Sequence, residues 1–197
     1  VLDASEMTTR DLNALLKKAS KTEDLIEITN PGARHNIAVG ILDECHIKIN
    51  GSVGYYSASL LDGPTVEIDG NAGWALGENL MTGRINVSGD VGASVGASMR
   101  GGDLFVGGDA GARAGISMKG GTLFVKGNTG FLTGFMMQKG RIVVCGDVGD
   151  AVGDSMYEGI IYVGGEYGSL GSDAEVTNID EDELLDLWSL LDSNGVK

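Results

Sequence analysis

The chain has few of the residues that usually announce chemistry. Among 197 residues there are only two cysteines, Cys45 and Cys145, and two histidines, His35 and His46. Two cysteines make neither a disulfide framework nor a metal-ligand spacing, and two free buried thiols are the expectation. Basic residues are scarce: 14 Lys and Arg stand against 28 Asp and Glu, a formal charge of −14. That balance argues against nucleic acid and anionic membrane surfaces as partners. No apolar run reaches the length of a membrane span. The opening "VLDASEMTTRDLNALLKK" has no basic region leading into an apolar core, so no secretory signal is read there and a cytoplasmic protein is expected. Proline is nearly missing too, with two in all. Together with an apolar share of 42%, this argues against a Pro/Gly-rich disordered chain.

Glycine, by contrast, is abundant, with 33 residues. Its spacing is regular: Gly51, Gly70, Gly89, Gly108, Gly127, Gly146 and Gly165 lie 19 residues apart. A second column runs from Gly54 to Gly168 in the same phase, and a third from Gly77 to Gly153, with Ala58 and Ser172 in that slot at the ends. A fourth runs from Gly83 to Gly159, with Pro64 before it. Apolar pairs keep the same clock, among them Ile47/Ile49, Ile85/Val87, Leu104/Val106 and Ile142/Val144, and alternate as strands do. Leu61, Leu80, Met99, Met118, Met137 and Met156 form another apolar column. No unit can bury its apolar face alone, so neighbours must stack. The prediction is an all-β chain, a parallel β-helix of about seven 19-residue rungs over residues 45–172. Each rung is read as a strand, a glycine-marked corner, two further short extended pieces and another corner.

The flanks read as helices that cap the stack. "TTRDLNALLKKA", about residues 8–20, carries Leu12, Leu15, Leu16 and Ala19 on one face behind a Thr N-cap. Residues of about 180–193 begin with Asp180 and Glu183 in capping-box spacing and carry Leu184, Leu187, Trp188 and Leu191, with Gly195 as the stop. "LIEITNPGARHNIAVG" reads as two strands around an Asn-Pro-Gly turn. The whole chain, 1–197, is taken as one domain.

Chemistry on this frame is sparse. A glycine loop that cradles phosphate leads into one helix, whereas "GDVGASVG" recurs in phase and leads into further extended chain. Asp90, Asp109 and Asp147 fall in a column with Ser52, Asn71, Asn128 and Glu166, one polar side chain per rung. Calcium-binding coils need several oxygens per site, so Asx-type turn chemistry is the expectation here. The histidines precede the regular rungs, which disfavours an inter-subunit His₃ zinc site. A Cys45 thiol with His46 or His35 is the one nucleophile–base combination available. Finally, Phe105, Phe124, Val143 and Tyr162 stack on the outward side of the strands and need cover, from the C-terminal helix or from a partner.

The phased glycine units resemble the GXGXG family of right-handed β-helices. That family includes the C-terminal domain of the glutamate synthase large subunit and one of the subunits of formylmethanofuran dehydrogenase. "TTRDLNALLKKA", "NPGARHNIAVGI", "GSVGYYSAS" and "RIVVCGDVGDAVGDSMYEGIIYVGG" are similar to stand-alone domain 3 proteins of glutamate synthase and N-methylglutamate synthase. The resemblance covers roughly residues 8–175. It implies a non-catalytic subunit that holds a glutamine amidotransferase subunit against a synthase subunit carrying FMN and an iron–sulfur cluster, so that ammonia reaches a 2-oxo acid. It implies no catalytic, cofactor-binding or metal-binding residue in this chain. A formylmethanofuran dehydrogenase subunit is the alternative, and homo-oligomerisation is left open.

Overall fold

A computed structural model describes residues 1–196. Two short strands and a helix come first: β1 (Leu2–Asp3), α1 (Thr9–Ala19) and β2 (Leu25–Thr29). The regular strands follow as β3 (His46–Asn50), β4 (Asp62–Ile68), β5 (Thr82–Val87), β6 (Asp103–Val106), β7 (Lys119–Val125), β8 (Lys139–Val144) and β9 (Ile160–Val163). Helix α2 (Glu181–Ser193) comes last. All nine strands among the described residues lie in one sheet, in chain order. Every neighbouring pair is parallel. Parallel neighbours in chain order require each connection to travel round and return to the same edge, which makes the chain a solenoid.

The register carries the 19-residue phase directly. Ile47 pairs with Val66, Val66 with Ile85, Ile85 with Leu104, and so on to Ile142 with Ile161. The inward members of each strand are sealed: Ile47, Ile49, Val66, Ile85, Val106, Leu123 and Ile142 are all at 0% exposure. Met99, Met118 and Met137 are equally buried, flexible thioethers filling the space opposite the branched aliphatics.

Two details of each coil differ from the sequence reading. Only one regular strand occurs per coil, accompanied by a single-residue bridge in the ladder Val53, Ala72, Val91, Ala110, Thr129, Val148 and Tyr167. The remainder is a compact turn with every second residue at positive φ, for example Arg113 (58°), Gly115 (70°) and Ser117 (54°). This backbone remains hydrogen-bonded because alternate amides reach opposite neighbours. Arg113 N–H donates up to Phe131 O (2.9 Å), and Gly115 N–H donates down to Val95 O (2.8 Å).

Of the two strands read around the Asn-Pro-Gly turn in residues 25–40, only the first forms, as β2. β2 joins the sheet parallel to β3, with Ile26 opposite Ile47, a step of 21 residues. After the turn the chain does not return along β2. Gly54 N–H instead donates to Arg34 O (2.7 Å), and Ala58 N–H to Ile37 O (2.8 Å). Asn36 and Ala38, both at φ 57°, keep this stretch from extending. The segment is thus a longer first coil that satisfies the one above it.

Helix α1 closes the N-terminal end. Thr8 caps it through Asp11 N–H (3.2 Å), and Leu12 and Leu16 are fully buried. Asn13 ties it to the first coil by donating to Asn36 O (2.6 Å) and accepting from Val39 N–H (3.3 Å). Leu15, expected on the packed face, is 41% exposed.

Helix α2 has the expected capping box between Asp180 and Glu183, but it does not lie across the other end. Its Asp186 pairs with Arg141 of β8, and its C-cap Asn194 accepts from Arg84 of β5 (3.1 Å). Eight helical residues rise about 12 Å, and three coils span about 14 Å. The helix therefore runs back along the outer face of the sheet, spanning three coils, and the last coil is left without a helical lid.

Candidate functional site: interaction surfaces on a coiled frame

The polar column is the first candidate for chemistry. Asp109 N–H donates to Asp90 Oδ1 (2.9 Å), Asn128 N–H to Asp109 Oδ1 (2.7 Å), Asp147 N–H to Asn128 Oδ1 (2.8 Å), and Glu166 N–H to Asp147 Oδ1 (2.8 Å). These side chains cap the coil above rather than their own turn, a correction to the Asx-turn reading. The spacing of 19 places each carboxylate under the next backbone amide, which a local turn cannot do. Asp and Asn serve equally here, since only one oxygen is used. No group of three or more His, Cys, Asp or Glu suited to a metal occurs among the described residues.

Burial, then the charge of Asp43, pushes the Cys45 thiol up from its ordinary value, the opposite of thiolate activation. His46 Nε2 lies 3.2 Å from Glu67 Oε1. His35 is engaged elsewhere, its Nδ1 accepting from Tyr55 N–H (2.9 Å). Cys145 is likewise raised by burial.

The outward column of the sheet is covered by α2. Phe124 and Val143 point away from the core yet are only 2% exposed, and Phe105 stacks on Phe124 at 5.2 Å. Thr122, Arg141, Tyr162, Asp182, Glu183 and Asp186 line a shared groove between sheet and helix. Tyr162 feels this cover: burial, and then the Glu183 carboxylate, raise its phenol above the ordinary tyrosine range. The helix face turned inward carries Leu187, Leu190 and Leu191, all half-buried. Leu184 and Trp188, expected in the same stripe, face outward with Leu185, and Trp188 is 55% exposed.

A second apolar face lies on the turn side of the coils. His35, Tyr55 and Trp74 occupy successive coils and stack ring on ring, at 4.4 and 5.2 Å between centroids. Trp74 is 58% exposed. Farther along the same column Phe131 is half-exposed, with the Arg113 guanidinium 5.3 Å from its ring centroid. Ala93 and Ala112 fill the two coils between Trp74 and Phe131. The 19-residue interval from Tyr55 to Trp74 was a legible signal for this ladder, although its exposure was not.

The GXGXG motif matches residues 26–187, which takes in the whole coiled stack and the first half of α2. The chain belongs to the GXGXG motif family. No curated protein matches it. In this family member the glycines serve inter-coil spacing. A Cβ at Gly111 would sit 2.7 Å from the Ala93 backbone nitrogen of the coil below, closer than real contacts allow. The repeated motif is therefore a packing device.

Proposed function

We propose that this chain is the non-catalytic coiled subunit of a glutamate synthase-type complex. It holds a glutamine amidotransferase subunit against a synthase subunit that carries FMN and an iron–sulfur cluster, and ammonia passes between them to a 2-oxo acid. The observation that supports this reading is a pair of exposed apolar faces on one frame. Tyr55, Trp74 and Phe131 project from the turn side, and Leu184, Leu185 and Trp188 from α2 on the sheet side. Aromatic side chains exposed in this way are typical anchors of protein interfaces. Seven parallel coils, the first six of them with buried aliphatic pairs on their strands, hold the two faces at a fixed separation.

The test is co-expression with an amidotransferase subunit and a flavin-containing synthase subunit, followed by size-exclusion chromatography and a glutamine-dependent assay of 2-oxo acid amination. A three-component complex is expected, weakened by Trp74→Asp or Phe131→Asp without loss of the circular dichroism signal of the fold. Elution of this chain alone, while the other two subunits couple ammonia transfer normally, would remove the reading.

A further inference from the structure

The two ends of the stack are finished differently. At the N-terminal end α1 seals the core with Leu12 and Leu16. At the other end the core columns emerge partly uncovered: Ile142 is at 0% exposure and Val144 at 1%, whereas Ile161 and Val163 one coil later are half-buried. Met137 is sealed, and Met156 above it is not. Strand β9 is the edge of the sheet. Gly164 N–H donates to Val144 O at 2.8 Å, so by strand alternation Ile161 and Val163 turn their N–H and C=O groups away from β8. The segment from Ser172 to Asp180 passes on to α2 without adding a strand.

Beside this edge lies a hollow of about 510 Å³. Its apolar side is formed by Met156, Ile160, Tyr167, Leu170 and Val176. Its charged groups are Glu158, Asp173, Glu175 and Glu183, and among the described residues no Lys, Arg or His lines it. An open edge with apolar pockets takes extended chain by strand addition. The carboxylates select its charge. A second copy would bring the same four carboxylates to face these, which disfavours end-to-end pairing of identical chains.

We propose that β9 and this hollow form a strand-addition site for an extended segment of a different protein, one that alternates apolar residues with Lys or Arg. The segment continues the sheet as a tenth strand through Ile161 and Val163, sets its apolar side chains over the exposed core, and places its cations against Glu158, Asp173, Glu175 and Glu183. This goes beyond the glutamate synthase reading and does not depend on it, because only the edge and its chemistry are involved.

Amide hydrogen exchange on the full chain tests the proposal, with a short synthetic peptide alternating valine and lysine as probe. At a peptide concentration about ten times its Kd, exchange at Ile161 and Val163 should slow about tenfold, by mass action on the closed form. The same peptide with glutamate for lysine should give no slowing, and the exposed charge reversals Asp173→Lys and Glu175→Lys should abolish the effect. No slowing with the lysine peptide, equal slowing with the glutamate peptide, or slowing confined to residues away from β9 would overturn it. Concentration-dependent self-association that protects the same two amides without peptide would give the edge to a second copy, and would overturn it as well.

Discussion

Alanine at Gly115 would probe how tightly successive coils interlock. Gly115 sits at φ 70°, where an alanine costs about 1–2 kcal/mol. Its new methyl would lie 2.4 Å from Ile142 Cδ1 and 3.3 Å from Ile142 Cγ1, both on β8, the second strand along the chain from this turn. Overpacking of this kind costs about 1–3 kcal/mol, for a combined loss of about 2–5 kcal/mol. Ala58 fills the equivalent slot of the first regular coil at φ 51°, so the backbone tolerates a methyl and the contact with Ile142 decides the outcome. Ile142→Val deletes Cδ1 and alone costs about 0.5–1.5 kcal/mol. Thermal melts followed by circular dichroism, at about 2–4 °C per kcal/mol for a chain of this length, should show the double variant more stable than the sum of the two losses. The coupling should exceed about 0.5 kcal/mol. Gly111→Ala is the control, because its methyl would meet the backbone of Ala93 at 2.7 Å, which trimming Ile142 cannot relieve. Strict additivity of Gly115→Ala with Ile142→Val would refute the interlocking.

Three further outcomes are expected. Asp109→Asn should leave stability within about 0.5 kcal/mol, while Asp109→Ala should lose about 1 kcal/mol because Asn128 N–H loses its acceptor; urea denaturation separates the two, and equal losses would count against the polar ladder. The Tyr162 phenol, raised by burial and by Glu183, should ionise above the ordinary tyrosine range and move down when residues 180–197 are deleted, as read by ultraviolet titration. Because its folded value is raised, the stability it contributes is present below the unfolded tyrosine value and is lost as pH climbs through the folded one. Cys45 and Cys145, both raised by burial, should alkylate slowly at neutral pH and faster as pH increases, and rapid labelling of Cys45 at neutral pH would reopen a nucleophilic role.

Most of the frame was legible because a repeat reports its own geometry. The 19-residue interval from Ile47 to Val66 to Ile85 is the register of the sheet itself, since stacking identical coils leaves no other pairing that keeps one face apolar. The methionine column and the caps at Thr8 and Asp180 are local or periodic properties, and they read out in the same way. Three features needed the folded chain. Whether Asn71 or Asp109 caps its own turn or the coil above depends on which amide comes within reach, and only stacking brings that amide there. The path of α2 depends on Arg84 and Arg141, which lie 110 and 45 residues from their partners Asn194 and Asp186, so helical periodicity alone could not tell that Leu187 faces the sheet and Trp188 faces solvent. The open edge at β9 was hidden for the same reason: Ile161 and Val163 carry the same pattern as every sealed pair below them. Composition and spacing determined the coil and its repeat, while tertiary contact decided which end was closed, because closure depends on where a flanking helix lands and a periodic pattern carries no record of its own boundary.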